Sequence, residues 1–411
     1  MSRVVVTGMG AVTPVGNTVQ EFWDALKSGK NGIAPITYFD TADSKCTLAA
    51  EIKDFDPLCC MDKATVNRTD PFVRYALWAC MQAVEMSGIE EAVSKEQLGV
   101  YFGSGIGGFQ TVCKEHAVML EKGGRRVSPL FIQKMISNMA AGTVAIRFGA
   151  KGPAISVSTA CATGTTAVGE AYRAVKHGYA KAVICGGSEA AITPFAVAGF
   201  GACQTLSNAA NPEEGSLPFD SRRGGFVMGE GAGALILEEY EHAKARGAKM
   251  YAEVIGYGST CDAYHVTAPD PEAEASSRAI ADAAAEIRDV APDRIYYNAH
   301  GTSTHLNDSG ETKMLKNAFG DAAYKLHISS TKSMTGHCLG NAGSLEAFVC
   351  VKAIEDNFIP PTINLDNPDV EGGCDLDYTP NKGLAIDVPV AMSGNFGFGG
   401  HNGILVFKRV K

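Results

Sequence analysis

Residues 154–178 read "AISVSTACATGTTAVGEAYRAVKHG". The opening positions are β-branched or small, the later ones repeat apolar residues at helical spacing up to Gly178, and Cys161 stands at the change. The pattern predicts a strand over 154–160 and a helix over 163–178. From Ala160 to Ala167 every residue is Ala, Cys, Thr or Gly, so nothing bulky bars approach to the backbone around the thiol. A cysteine at a helix start faces unpaired N–H groups and the positive end of the helix dipole, which favour thiolate. The same N–H groups can hold an oxyanion. The competing reading is a small packing residue under a helix, and for any one of the 12 cysteines taken alone it is the stronger.

Outward from this turn, strands and helices alternate. Strands are expected at Val4–Thr7, 97–105 and 181–190, with helices at 18–29 and 130–148, and a strand passing into a helix over 233–247. From Met250 the alternation begins again. Strands are expected at 251–259, 293–301 and 326–333, helices at 274–287, 310–320 and 343–357, and a closing hairpin over 390–410. Strand–helix alternation implies a layered α/β architecture with covered sheets. The restart divides the chain into halves 1–249 and 250–411, packed as one unit because no Pro- or Ser-rich linker separates them.

Composition bounds the function. The 411 residues are 45% hydrophobic and 20% charged with a net charge of −9, which argues against nucleic acid as the main partner. No stretch of about 18 apolar residues is present, so no membrane insertion is expected. The N-terminus "MSRVVVTGMGAVTPVG" does not read as a secretory signal, and a cytoplasmic protein is expected. No CxxC pair occurs, which argues against a structural zinc site. Three glycine-rich stretches imitate dinucleotide loops. In "GMGAVTP" (8–14) Thr13 and Pro14 stand where a glycine and helix start are needed, "GSGIGG" (103–108) lacks an acidic strand end about 20 residues on, and "GEGAGA" (229–234) precedes a strand.

Two histidines share the setting of Cys161. His300 lies in "NAHGTST" (298–304) and His337 in "STKSMTGHCLGNAG" (330–343), each after a strand and before a helix. A helix-start thiol with two such imidazoles forms a constellation suited to acyl transfer.

Taken in order, "STACATG", "FDSRRGGFVMGEGAG", "EHAKARGA", "NAHGTST", "SSTKSMTGH", "PPTINLDNPD" and "NFGFGGHNG" resemble the condensing enzymes of fatty-acid synthesis. Within these they are similar to the elongating β-ketoacyl-acyl-carrier-protein synthases of type II, members of the thiolase superfamily. The resemblance implies the thiolase fold: two similar βαβαβαββ halves in a five-layered α/β/α/β/α sandwich. It implies decarboxylative condensation of an acyl thioester on Cys161 with malonyl carrier protein, extending the chain by two carbons. By the same resemblance Cys161 is the nucleophile, His300 and His337 hold the malonyl thioester oxygen, and Lys332 supports them, paired with Glu346. The amides of Cys161 and Phe398 form the oxyanion hole.

Further roles are carried by resemblance alone. Thr302 and Thr304 bind the phosphopantetheine arm. Ile106 stands at the throat of the acyl pocket, Phe398 is a gate hinged by Gly397, Gly399 and Gly400, and Phe131 is a pocket wall lent by the partner of a homodimer. Phe200 and Phe396 line the substrate channel, and Asp308 and Glu311 support the site. Lys63, Arg68, Arg125 and Arg126 are candidate docking residues for an acidic acyl carrier protein. No metal or organic cofactor is implied, since decarboxylation drives the reaction. His401 stands where many relatives carry Thr, and "THLND" (304–308) replaces a Thr-Pro start. Two alternatives remain open at this level: a condensing enzyme of a specialised or polyketide route, and a non-catalytic chain-length partner. Loss of the nucleophile marks the latter, and Cys161 is present.

Overall fold

The computed structural model describes residues 1–411. Strand β1 (Val4–Val12), helix α1 (Pro71–Ser87), β2 (Leu98–Gly103), α2 (Met139–Phe148), β3 (Ala154–Ile155), α3 (Thr163–Lys176), β4 (Ala182–Glu189) and β5 (Gly231–Glu239) build the first half. The second half repeats the order with β6 (Ala252–Cys261), α4 (Glu274–Ala283), β7 (Ile295–Asn298), α5 (His305–Phe319), β8 (His327–Ser329), α6 (Ala342–Asp356), β9 (Val390–Gly397) and β10 (His401–Lys408). Strand order is β3-β2-β4-β5-β1 in one half and β8-β7-β9-β10-β6 in the other, so each half places its strands identically. The inner strands β2 and β7 pair in parallel with both neighbours, as right-handed crossovers through covering helices require. The sheets meet at one edge, where Val4–Val6 pair antiparallel with Ala252–Val254 and make one hydrogen-bonded surface of ten strands.

Helices α1 and α2 cover the outer face of the first sheet, and α4 and α5 that of the second. Helices α3 and α6 pack against each other between the two sheets. This is the five-layered thiolase fold. Burial on every side explains why α6 is apolar almost all round, with buried residues from Ala342 to Ile354. No helix is long and apolar enough to cross a membrane.

Several elements differ from the sequence reading. The strand expected over 154–160 pairs only at Ala154–Ile155. Beyond it the chain leaves the sheet: Thr163 Oγ1 accepts from the Thr159 amide at 2.8 Å, and Ala160 turns at φ +49° just before Cys161. The helix expected over 130–148 is two, Phe131–Met135 and Met139–Phe148, broken where the Gly108 amide donates to the Met135 carbonyl. The helix expected from 310 begins at His305. The strand expected to end at Thr7 runs on through "GMGAV" to Val12. Its glycines let α1 lie directly on the strand, for a Cβ on Gly10 would sit 1.9 Å from the Ala79 carbonyl oxygen.

The two central helices meet at their N-terminal ends. A Cβ on Gly343 would fall 2.0 Å from Thr165 Oγ1 and 2.6 Å from the Thr165 amide nitrogen, and one on Gly164 would fall 2.5 Å from the Ser344 nitrogen. Backbone faces backbone there, so a methyl group has nowhere to go. Gly343→Ala is expected to destabilise the fold by about 1–3 kcal/mol, the usual range for overpacking. A denaturant titration checks this, and an unchanged midpoint would contradict the packing described.

Candidate active site

The crossing of α3 and α6 brings three loops together. Cys161 precedes α3, His337 precedes α6, and His300 follows β7. The sulfur of Cys161 and the ring nitrogens of His300 and His337 offer donor atoms all within 4.8 Å of one another. The imidazoles stand perpendicular with centroids 5.2 Å apart, and Phe226 and Phe396 set their edges against His337 and His300. All three residues line a cavity of about 580 Å³. A thiol and two imidazoles at this spacing are also a donor set able to hold a soft divalent ion.

Behind the rings lies a buried charge pair. Lys332 Nζ donates to Glu346 Oε1, and Asn395 Nδ2 donates to Glu346 Oε2 at 2.7 Å. Lys332 sits on the short helix Lys332–Thr335, and Glu346 on α6. The ammonium is 2% exposed, so it acts at short range through protein rather than water. Burial holds both histidines well below the usual imidazole range, and the Lys332 charge pushes the same way. The rings are therefore neutral. Neither Nδ1 has a hydrogen-bond partner.

The thiol also departs from the sequence reading. Burial pushes Cys161 up to about 12; the Lys332 charge and the amides of Cys161 and Phe398 pull it down, while Glu189 adds to the rise. Desolvation outweighs the helix-start effect because the sulfur lies at the cavity floor with protein around it. Those two amides nonetheless face the sulfur, as an oxyanion hole would require. Gly397 permits this: a Cβ there would fall 2.7 Å from the Thr159 carbonyl oxygen and 3.1 Å from the Cys161 nitrogen.

The supporting carboxylates act on backbone. Glu311 Oε1 accepts from the His300 amide at 2.7 Å and from Tyr297 Oη at 3.1 Å, and Oε2 accepts from the Gly301 amide at 2.8 Å. Asp308 Oδ2 accepts from the Phe219 amide at 2.8 Å and lies 3.7 Å from Arg223 Nε. Thr302 and Thr304 both line the cavity with their hydroxyls 3.0 Å apart. Thr304 occupies the N-cap of α5, yet its side chain makes no cap bond, which removes capping as its explanation.

Phe200, Phe396 and Phe398 line the cavity, whereas Gly399 stands just outside it, exposed at φ +89°. Ile106 does not line the cavity; like Phe200 and Phe109 it packs against the cluster containing Leu339 and Phe226. Phe131 lies on its own short helix, away from this chain's cavity. Lys63 and Arg68 lie on the helix Lys63–Arg68, and Gln133 Nε2 donates to the Arg68 carbonyl. Arg125 and Arg126 are exposed in the turn Gly124–Arg126. None of these four basic residues lines the cavity. One residue missed by the sequence reading belongs to the site: Asn395, inside the quoted "NFGFGG", which holds Glu346.

The sequence profile of the Beta-ketoacyl synthase N-terminal domain matches residues 1–243, and that of the C-terminal domain matches residues 251–366. The chain belongs to the beta-ketoacyl synthase family. It is 51% identical over 410 residues to the 3-oxoacyl-[acyl-carrier-protein] synthase 2 of Synechocystis, covering 99% of this chain and 98% of that one. A beta-ketoacyl synthase from Burkholderia phymatum superposes with a TM-score of 0.91 at 36% identity over 100% of both chains. A type II polyketide ketosynthase, solved in complex with its acyl-carrier protein and bound to the hexaketide, superposes at 0.90 and 32% identity, again over 100% of both.

A thiol held this high exposes its acid–base state to alkylation. The rate of iodoacetamide modification at Cys161, followed by peptide mass, is expected to rise about tenfold per pH unit from about pH 7 to about pH 9.5, since only thiolate reacts. A plateau reached by neutral pH would contradict a thiol held protonated by burial.

Proposed function

We propose that this beta-ketoacyl synthase is a 3-oxoacyl-[acyl-carrier-protein] synthase of the elongating type, lengthening fatty acyl chains by decarboxylative condensation. One observation carries the reading: a free thiol and two neutral imidazoles converge within 4.8 Å and line a cavity of about 580 Å³. In the first half-reaction Cys161 Sγ attacks the acyl thioester carbonyl. The thiol proton passes by way of a neutral imidazole to the departing pantetheine sulfur, so acyl-Cys161 forms and carrier thiol leaves. The amides of Cys161 and Phe398 stabilise the tetrahedral oxyanion.

In the second half-reaction the malonyl thioester oxygen lies between His300 and His337. Neutral rings are what this step needs, because each can donate an N–H to the developing enolate without having to lose a charge. Loss of CO₂ leaves a carbanion equivalent that attacks the acyl-Cys161 carbonyl. Cys161 departs as thiolate and takes one proton, giving the 3-oxoacyl carrier and restoring the thiol. Lys332 lowers the cost of negative charge throughout, and Glu346 with Asn395 holds the lysine in place. No resident metal or organic cofactor enters these steps.

Thr302 and Thr304 hold the pantetheine arm, Phe398 gates the channel with Gly399 as hinge, and Phe200 and Phe396 line it. Ile106 shapes the acyl throat from behind Phe200. The first half (1–249) thus supplies the nucleophile, and the second (250–411) the histidines and lysine. The protein works as a homodimer. The edge strand β3 and the exposed Ile132, Ile146, Ile155 and Phe195 of the first half offer an open sheet edge and apolar surface that a second copy would cover, lending Phe131 to its partner's pocket. Lys63, Arg68, Arg125 and Arg126 supply exposed positive charge, on a chain of net charge −9, for an acidic acyl carrier protein. The cytoplasm is the compartment that keeps the Cys161 thiol reduced.

Cys161→Ala is expected to abolish condensation while carrier-protein binding survives. Cys161→Gln, which places an amide where the acyl thioester would be, is expected to release CO₂ from malonyl carrier protein with no acyl donor and no condensed product. Elongation retained in the alanine variant would remove the mechanism.

A further inference from the structure

Glu189 ends β4 with its side chain 0% exposed, and no cation faces it. Its carboxylate is satisfied by four neutral donors from two loops. Ser104 Oγ at 2.9 Å and the Ile106 amide at 3.2 Å donate to Oε1; the Gly105 amide at 2.9 Å and the Gly340 amide at 3.1 Å donate to Oε2. The first three follow β2 in the first half. Gly340 belongs to the second half, three residues after His337.

The two loops approach each other closely at their glycines. A Cβ on Gly340 would lie 2.4 Å from the Gly105 nitrogen and 2.7 Å from Glu189 Oε2, and one on Gly105 would lie 2.8 Å from that oxygen. Glu189 lies between them, its Oε2 accepting from both glycine amides. On one side of this joint Ile106 packs against the same apolar cluster as Phe200; on the other Leu339 belongs to that cluster and lines the cavity.

We propose that Glu189 is a positioning residue that fixes the loop of the acyl throat and the loop of His337 relative to each other, so that acyl-chain fit and malonyl decarboxylation share one carboxylate. This rests on the condensing reaction above.

The two oxygens are not equivalent, and that makes the claim testable. A glutamine can turn its carbonyl to the Oε2 position and keep both Gly105 and Gly340. Its NH₂ then meets Ser104, whose hydroxyl can accept, but also the Ile106 amide, which is left without an acceptor. Alanine releases both loops. CO₂ release from malonyl carrier protein, measured in the Cys161→Gln background, reads the His337 loop. The ratio of kcat/KM for myristoyl over hexanoyl carrier protein, measured with Cys161 intact, reads the throat.

Glu189→Gln is expected to leave CO₂ release within about twofold and to change the chain-length ratio several-fold. Glu189→Ala is expected to lower CO₂ release by about tenfold or more, as small misplacements of reacting groups do. Equal losses in both readouts for Glu189→Gln, or unchanged CO₂ release in a folded Glu189→Ala, overturn the proposal. If the alanine variant does not fold, the glutamine variant decides it through its two readouts. A parent protein that neither acylates Cys161 nor releases CO₂ sinks the condensing reading itself, an outcome distinct from either of these.

Discussion

The contact between the N-terminal ends of α3 and α6, at Gly164 and Gly343, is the constraint on which the site depends. Each half of the chain ends a strand, turns, and starts a central helix, and the turn is where reactive side chains can stand clear of the sheet. One such turn holds a thiol with no partner; the other holds an imidazole with no nucleophile. Only because the helices approach to backbone contact do the two turns face a common cavity. The third group, His300, enters from the end of β7 and is aimed by Glu311 gripping its amide. Chemistry thus arises at the seam of two similar units, neither of which is complete alone.

The electrostatics of the seam follow from burial. Burial at the cavity floor disfavours charge on the three reactive groups, which leaves Cys161 protonated and both histidines neutral at rest. The single ammonium of Lys332 is tolerated because Glu346, itself held by Asn395, accepts from it. The site stores positive potential without spending it on a resting thiolate. That potential is then available at the moments when negative charge forms, first on a tetrahedral oxyanion and then on an enolate.

Much of this was readable in the chain because strand–turn–helix settings leave periodic traces. Cys161, His300 and His337 each break such a trace, and the repeated alternation exposes the two halves. What escaped the reading depended on distant neighbours. The helix over 130–148 breaks at a contact with Gly108, and the strand after Ile155 is cut short by Thr163 and the turn at Ala160. The acidity of Cys161 depends on how many atoms surround the sulfur, which helix dipoles alone do not reveal. Glu189 sits in "GGSEAA" with no feature to distinguish it, since its partners are backbone amides from loops that meet only in three dimensions. Ile106 and the four basic residues lie outside the cavity, so their roles depend on the occupied or paired protein.

The central claim is that one sulfur, reached from one half and activated by the other, carries the growing chain. The most direct measurement is peptide mass mapping of the intact protein after incubation with an acyl carrier protein charged with a medium-chain acyl group. The account predicts one added acyl group, on the peptide containing Cys161. An acyl group found instead on an exposed thiol such as Cys203 or Cys261, with Cys161 unmodified, would contradict it.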